Sequence, residues 1–311
     1  MGSEQACEQF HETSYRFHQF HAEAITEDKA WQPVVESWFD TSSADHWRHW
    51  RMYEAAQHLV CSEGERWLTV GDGQYGLDSV RLRKRGVPSA LPTDIAGATL
   101  RKAKERGIID DYRVENAERL SFEDRSFDYV FCKEAFHHFP RPFLALYEML
   151  RVARKGVILV EPQDQVGSLL KRAIYWVLRL MRRRRHFDQD RYEDSGNYIY
   201  SVSTREIEKA SLGLNLPCVA FKGLTDFYVK GGEFEPAALS SRKFLLMRAV
   251  ILVHGFLAAL GLARHNVLMS CIFKEEPAPE VRRRLVENGW RVEDLPRNPY
   301  AKGPPAPQYG R

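Results

Sequence analysis

Three glycines stand directly after a short apolar run and are spaced for binding a nucleotide-type ligand. Residues 67–70 read Trp-Leu-Thr-Val and are followed by Gly71, Gly73 and Gly76. Glycine has no Cβ, so the backbone can turn sharply there and a ligand can approach it closely. A strand, a glycine loop and then the start of a helix is an arrangement that holds nucleotide-type cofactors. Taken alone, this motif fits more than one class of cofactor.

A carboxylate follows the loop at the distance expected of a ribose-binding acid. Asp94 lies 18 residues after Gly76, at the end of a predicted second strand, residues 89–93. Ligands of open α/β sheets bind beyond the carboxyl ends of the strands. We therefore expect Asp94 to accept hydrogen bonds from the two hydroxyls of a ribose. The alternative is that Asp94 only caps the helix that begins near Ala96.

Two histidines and a glutamate form a second group that could do chemistry. Glu134, His137 and His138 follow a predicted strand, residues 127–132, that is rich in β-formers. A histidine has a pKa near neutrality and can take a proton from a reacting group as a general base. We predict these three residues as the catalytic candidates. The alternative for a histidine of this pair is packing beneath the sheet.

The elements around these groups alternate between strand and helix. Predicted strands at 66–70, 89–93, 112–114, 127–132 and 156–160 are followed by helical segments or turns. The last strand is a continuous apolar run, which is typical of a strand covered on both faces. This alternation predicts an α/β domain with a parallel sheet.

Composition excludes several classes of protein. The chain has 311 residues, of which 44% are hydrophobic and 28% charged, and its net charge is +3. This charge is too small to indicate a nucleic-acid partner, which usually needs a strongly basic face. Five cysteines are scattered without a Cys-x-x-Cys pair. We therefore predict no disulfide framework, no metal site and a cytoplasmic location.

The order of motifs between Arg66 and Pro162 resembles that of class I S-adenosylmethionine (SAM)-dependent methyltransferases, especially the small-molecule group called methyltransferase type 11. Three segments carry the resemblance in the family's order: Asn-Ala-Glu-Arg-Leu-Ser-Phe-Glu-Asp-Arg-Ser-Phe-Asp-Tyr-Val at 116–130, Ala-Phe-His-His-Phe at 135–139, and Gly-Val-Ile-Leu-Val-Glu-Pro at 156–162. The resemblance implies a Rossmann-like, doubly wound α/β fold. Its sheet would be seven-stranded and mostly parallel, with an antiparallel last strand at about 267–273 and helical lid insertions.

The resemblance also implies SAM as cofactor, S-adenosylhomocysteine as product, and a set of binding residues. The family's cofactor positions fall on Gly71, Asp72, Gly73, Asp94, Ile95, Asn116, Ala117, Glu118 and Lys133. The first three would pass the methionine part, and Lys133 would line the same end. Asp94 would bind the ribose, and Ile95 would pack on adenine. Ala117 would donate its backbone N–H to an adenine ring nitrogen, with Asn116 or Glu118 near the exocyclic amine. His138 would face the pocket.

Two residues depart from the family's pattern within the glycine loop. The family usually has an acid two residues before the first glycine, where this chain has Thr69, and a glycine where it has Tyr75. The missing acid helps to hold the methionine ammonium. Asp72 carries a charge in the same loop, so we predict that it substitutes for the missing acid.

The rest of the chain divides by composition. The predicted divisions are an N-terminal extension without clear periodicity (1–42), a cofactor-binding core (43–162), a lid or acceptor insertion (163–202), the C-terminal part of the sheet with an apolar helix at 242–262 (203–275), and a partly disordered tail (276–311). The apolar run 249–263 is shorter than the roughly 20 residues that span a bilayer, so it predicts a buried helix.

The insertion suits an acidic, saccharide-linked or lipid-linked acceptor. Residues 171–185 hold seven lysines and arginines beside an apolar helical face. Arginines can bind carboxylate or phosphate groups. Such a helix can lie on an anionic membrane surface, or it can pack its apolar face on the domain and leave its basic face solvated. The 242–262 helix leaves three roles open, namely packing over the sheet, a homodimer contact and a membrane contact.

The sequence therefore predicts an enzyme that transfers a methyl group from SAM to a small-molecule or carrier- or saccharide-linked acceptor, at oxygen. A non-catalytic or regulatory SAM-binding paralogue is one alternative, because Thr69 and Tyr75 depart from the pattern. An NAD(P)-dependent oxidoreductase is another, since it would use the same glycine loop. It is disfavoured because the chain has no obvious Tyr-x-x-x-Lys or equivalent hydride-transfer set.

Overall fold

A single mixed β-sheet forms the centre of the molecule. The computed structural model describes residues 3–165, 169–181, 191–192 and 197–301. Within them the strands are β1 Arg66–Val70, β2 Ser89–Asp94, β3 Arg113–Val114, β4 Phe127–Lys133, β5 Ala153–Pro162, β6 Cys218–Leu224, β7 Val267–Phe273 and β8 Arg291–Asp294. Their order in the sheet is β3-β2-β1-β4-β5-β7-β6-β8.

The α-helices of the described residues pack on both faces of this sheet. They are α1 Ser3–Glu27, α2 Gln32–Phe39, α3 Ala44–Trp50, α4 Glu54–Leu59, α5 Leu77–Lys84, α6 Gly97–Glu105, α7 Pro142–Val152, α8 Leu169–Leu180, α9 Thr204–Gly213, α10 Arg242–Ala259 and α11 Pro279–Glu287. All seven residues of β4 are buried. Val130 and Cys132 share one core with α7, and Tyr129 and Phe131 share the other with α4.

The predicted fold class is confirmed, and the sheet has one strand more than predicted. Strands β1 to β5 run parallel, and β7 lies antiparallel between β5 and β6 at the predicted residues. The eighth strand, β8, pairs antiparallel with β6. It lies in the tail predicted for 276–311, so the sheet continues past residue 275. The segment Arg-Val-Glu-Asp has one apolar residue, which is too little pattern to predict a strand.

The N-terminal extension is helical, although its sequence was predicted to have no clear period. Helices α1 and α2 lead to the glycine loop, where Tyr75 is buried against Trp38 and Phe39 with ring centroids 6.3 and 5.8 Å apart. Tyr75 adopts φ +58°, a left-handed conformation that favours glycine. The tyrosine therefore keeps the backbone shape of the glycine that the family has here and adds an anchor for α2.

The apolar run at 249–263 was predicted to be buried, and this prediction is wrong for most of its surface. Helix α10 buries Phe244, Met247 and Ile251 on one side. On the other side Leu252, Val253 and Phe256 are 66%, 61% and 64% exposed. These three buried side chains hold the helix in place. Apolar residues occur on every side of the helix, so its sequence does not show whether one side or all sides are covered. None of the helices among the described residues is long and apolar enough to cross a membrane.

Tyr75 provides a test of the strained loop. Tyr75→Ala is expected to lower the free energy of unfolding by about 3 kcal/mol, because it removes a buried aromatic ring. Tyr75→Gly removes the same ring, but glycine adopts the left-handed backbone without strain. This variant should therefore regain roughly 1 kcal/mol of the free energy of unfolding. Chemical denaturation should therefore find the Gly variant at least as stable as the Ala variant. Leu82, buried inside α5, is the matched control. Leu82→Ala should be more stable than Leu82→Gly. If Tyr75→Ala were likewise more stable than Tyr75→Gly, the left-handed backbone would not be a source of strain at Tyr75.

Candidate cofactor and active site

A cavity of about 410 Å³ opens at the carboxyl ends of β1, β2 and β4. Every predicted cofactor residue lines it: Gly71, Asp72, Gly73, Asp94, Ile95, Asn116, Ala117, Glu118 and Lys133. The catalytic candidates Glu134 and His138 line it as well, whereas His137 is not part of its wall. The sheet topology explains this grouping, because parallel strands bring their carboxyl ends to one edge.

Two glycines of the loop are required by close packing. Gly71 has φ +76°, and a Cβ at this position would overlap the Cβ of Ala135. A Cβ on Gly73 would lie 2.8 Å from Oδ2 of Asp94. The loop and the acid at the end of β2 therefore fit together only because Gly73 has no side chain.

Asp94 borders the cavity and holds the turn between β2 and α6. Its Oδ1 accepts a hydrogen bond from the backbone N–H of Ala96, the residue before α6, at 2.7 Å, and the carboxylate also accepts from Gly73. Its predicted role toward a ribose remains a prediction. A carboxylate has about four acceptor sites, so further hydrogen bonds can be accepted from the cavity. Burial raises the pKa of Asp94 to about 6, against the lowering effect of these hydrogen bonds. A ribose diol would provide donors that favour the ionised form.

Asp72 ties the end of β1 to the beginning of α5. Its carboxylate accepts the hydroxyl of Thr69 at 2.8 Å and the backbone N–H groups of Asp78 and Ser79 at 3.0 and 2.9 Å. These bonds satisfy donors at the amino end of the helix. Burial and the charge of Asp78 raise the pKa of Asp72. Asp72 thus fixes the shape of the loop, and its carboxylate oxygens already accept three hydrogen bonds from protein groups.

Asp78 also lines the cavity, and it was not among the predicted site residues. It accepts a short hydrogen bond from the hydroxyl of Tyr53, and its Oδ1 lies 4.0 Å from Nζ of Lys133. Lys133 also contacts Glu134 at 2.8 Å. Burial disfavours the ammonium of Lys133, but Glu134, Tyr53 and Asp78 outweigh it and raise its pKa. The end of the cavity predicted to hold the methionine part therefore has charged groups of both signs, which an amino acid zwitterion could pair with.

Glu134 occupies a strained position directly after β4. Its φ of +49° is left-handed, and its backbone N–H donates to the carbonyl of Val160 at 2.9 Å. Burial disfavours its charge, but Lys133 and then His49 outweigh it and hold its pKa below the usual range. Strained backbone persists only where the surroundings enforce it, and it is frequent at functional sites. A carboxylate with so low a pKa is a weak general base.

The two histidines have different surroundings. His137 Nδ1 lies 2.7 Å from Oε2 of Glu161, which is fully buried. The other oxygen of Glu161 accepts the backbone N–H groups of Ala135 and Phe136. His137 therefore helps to fix the turn after β4, which is the packing alternative. The ring of His138 lies against that of His137 at a tilt of 42°, with 3.9 Å between centroids, and borders the cavity.

The predicted adenine end is held by an ion pair. Glu118 is buried, and its carboxylate accepts from the backbone N–H and the guanidinium Nε of Arg141 at 2.8 and 2.5 Å. The hydroxyl of Tyr15 donates to the same carboxylate at 2.8 Å. The side-chain oxygen of Asn116 accepts the backbone N–H of Glu118 at 2.9 Å. The roles predicted for Asn116, Ala117 and Glu118 toward adenine remain predictions.

Helix α1 forms a wall of the cavity that the sequence analysis did not predict. Tyr15, His18, Ala22 and Ile25 line the cavity from this helix. Their spacings of three, four and three residues place them on one helical face, so the signal was present in the sequence. The same helix is tied to the last part of the predicted lid insertion, because the amide of Asn197 donates to the hydroxyl of Ser14 at 2.5 Å.

Comparison with known proteins accounts for this geometry. Residues 68–160 match the family described as "Methyltransferase domain". This segment of the chain is therefore a methyltransferase domain. SAM is the cofactor that this class of domain implies. The matched residues run from β1 to β5, so the methyltransferase domain contains the glycine loop, Asp94, Ala117 and the turn after β4.

Two curated relatives from Mycobacterium ulcerans (strain Agy99) resemble the chain. Phthiotriol/phenolphthiotriol dimycocerosates methyltransferase 1 is 31% identical over 142 residues, or 44% of this chain and 52% of the relative. The probable phthiotriol/phenolphthiotriol dimycocerosates methyltransferase 2 is 34% identical over 110 residues, or 35% of this chain and 43% of the relative. The chain thus spans about half the length, or less, of these curated relatives.

Solved structures support the fold of the methyltransferase domain. A chain of the Haloferax volcanii complex with the Trm112 methyltransferase activator aligns with a TM-score of 0.50 at 15% identity, covering 74% of this chain and 92% of that chain. Identity this low speaks for the fold alone.

The pKa of Asp94 predicts how cofactor binding depends on pH. If the ionised carboxylate accepts the ribose hydroxyls, protonation below about pH 6 competes with binding. The dissociation constant for S-adenosylhomocysteine should then rise about tenfold between pH 7 and pH 5, measured by calorimetry. Asp94→Asn should bind more weakly and lose most of this slope. An unchanged slope in Asp94→Asn would contradict the ribose assignment.

Proposed function

We propose that the chain transfers a methyl group from SAM to a hydroxyl of a small-molecule or a carrier-, saccharide- or lipid-linked acceptor. The observation that carries the proposal is the single cavity that brings Asp94, the glycine loop and the turn after β4 together inside a methyltransferase domain. When bound, SAM would supply a sulfonium methyl group, which an acceptor oxygen could take by in-line attack on the methyl carbon, with S-adenosylhomocysteine as the leaving group.

The residues of the cavity would orient the cofactor from three sides. Asp94 would accept the ribose hydroxyls, and Ile95 would cover the adenine. Lys133 and Asp78, with their opposite charges, would pair with the carboxylate and ammonium of the methionine part. In this proposal Asp78 takes the ammonium role predicted for Asp72, because Asp72 accepts three hydrogen bonds within the protein. Positioning of this kind can supply most of the rate of a displacement reaction.

His138 is the best-placed residue to remove the acceptor proton. It borders the cavity, while His137 is held by Glu161 outside it. Glu134 also borders the cavity, but Lys133 holds it in its ionised form and lowers its pKa. We therefore propose His138 as the general base and Glu134 as a fixed negative charge that attracts the sulfonium.

The acceptor class rests on the relatives and on the lid. Both relatives are named as methyltransferases of phthiotriol and phenolphthiotriol dimycocerosates, and a triol supports oxygen as the methylated atom. In this chain α8, within the predicted lid, carries Arg172 and Arg179 beside exposed apolar residues. The run Arg182–Arg185 lies outside the described residues. A partly apolar acceptor with an anionic or polar group would suit this helix.

The role of His138 can be tested by methyl transfer. Wild-type protein with methyl-labelled SAM and a panel of phenols, polyols and glycolipids should form a labelled methyl ether. His138→Ala is expected to lower kcat about 100-fold or more, because it removes a general base. Its affinity for S-adenosylhomocysteine should stay close to that of the wild type. His21→Ala, at another histidine of the cavity wall, is the matched control and should keep most of its kcat.

Two outcomes would redirect the proposal. Equal loss of rate in both variants would indicate a general effect on the cavity wall and remove His138 as the base. Cofactor binding without transfer to any acceptor class would favour the non-catalytic paralogue.

A further inference from the structure

Helix α10 presents an apolar stripe that no described part of the chain covers. The stripe comprises Leu245, Leu246, Leu252, Val253 and Phe256, all exposed, and runs along the helix from its first turn to its last. Ala249 lies between them on the same face. Phe244, Met247 and Ile251 point the other way, where Phe244 meets Trp47 at 5.1 Å between ring centroids. The helix is therefore fixed on one side and open on the other.

The chain segment that contains the α10 stripe carries basic residues and no acidic ones. No acidic residue occurs from residue 236 to residue 274, while Arg242, Lys243, Arg248 and Arg264 lie within the helix or just after it. The nearest acid at the helix start is Glu235, which pairs with Lys243 at 3.2 Å. An apolar face with a basic border matches the interface of an anionic bilayer, where acyl chains lie below negatively charged headgroups.

Helix α8 repeats this combination at a second place in the chain. Ile174, Val177 and Met181 are exposed at spacings of three and four residues, and Trp176 is exposed beside them. No acidic residue occurs from 165 to 187. An exposed tryptophan is typical of helices that lie in a membrane interface. Two exposed helices of the same unusual composition favour one common partner.

A second copy of the chain fits these charges less well. A two-fold contact would place the same surface against itself, so the basic border of one α10 stripe would face that of the other. Like charges in contact weaken such an interface, whereas an anionic membrane attracts them. We propose that the α10 stripe docks on an anionic membrane surface and that the chain binds such a surface peripherally.

The docking goes beyond the proposed methyl transfer and does not depend on it. The full-length chain is mixed with vesicles of phosphatidylcholine alone or with added phosphatidylglycerol, and bound protein is measured by co-sedimentation. We expect binding to the anionic vesicles, weak binding to the neutral ones, and loss of binding as salt is raised.

Substitutions separate the α10 stripe from the rest of the surface. The double variant Leu252→Asn with Phe256→Asn should lower the partition coefficient on anionic vesicles about tenfold or more, because two interfacial apolar side chains are lost. The matched control is Leu214→Asn with Val286→Asn, which removes two exposed apolar side chains elsewhere and should leave binding unchanged. Both double variants should keep the affinity for S-adenosylhomocysteine, so failure of docking is distinct from failure of the cofactor site.

Two results would overturn the proposal. One is vesicle binding that is absent or equal in the α10 variant and the wild type. The other is a dimer in analytical ultracentrifugation that the α10 variant dissociates while no vesicle binding occurs, which would identify a second copy as the partner.

Discussion

The carboxylate of Asp72 is the interaction on which the shape of the cofactor cavity depends. It accepts one hydroxyl from the end of β1 and two backbone N–H groups from the start of α5, so it fixes the strand, the glycine loop and the helix relative to one another. Without it the first turn of α5 would have unsatisfied buried donors, and each would cost about 1–3 kcal/mol. Gly71 and Gly73 then allow Ala135 and Asp94 to approach the loop.

This arrangement explains how the chain dispenses with the usual acid of the glycine loop. Thr69 occupies the position of that acid and donates its hydroxyl to Asp72, so the end of β1 is tied to an acid within the loop. The charge that borders the methionine end then comes from Asp78 and Glu134, with Lys133 between them. The carboxylates around one buried ammonium partly offset its desolvation, which explains why several ionised groups can share a confined site.

Much of the fold, and the grouping of the predicted cofactor residues around one cavity, was predictable from the sequence, because both depend on local signals. Apolar runs that end at a glycine or at Asp94 show where the strands lie along the chain. Because parallel strands end at the same edge of a sheet, the residues that follow them come together. Two features were not predictable because they depend on tertiary contacts, namely the left-handed backbone of Tyr75 and the strand β8. The ring of Tyr75 is held by its contacts with α2, and β8 is held by its pairing with the edge of β6. The exposed side of α10 is likewise invisible in its sequence, since apolar residues occur all round the helix.

The catalytic candidates were harder to rank from the sequence for a related reason. Glu134, His137 and His138 are neighbours in the chain, yet the turn after β4 sends them in different directions. Glu161, 24 residues after His137, decides the outcome by binding that histidine and two backbone N–H groups of the turn. A spacing rule cannot include such a contact, because it depends on how β4 and β5 pair.

A cavity that holds SAM and its product must bind that product in preference to NAD. Calorimetric titration of the 311-residue chain with S-adenosylhomocysteine and, separately, with NAD compares the two cofactor classes that share the glycine loop. We expect saturable binding of S-adenosylhomocysteine that Asp94→Ala abolishes, and no binding of NAD. Binding of NAD without binding of S-adenosylhomocysteine would contradict it.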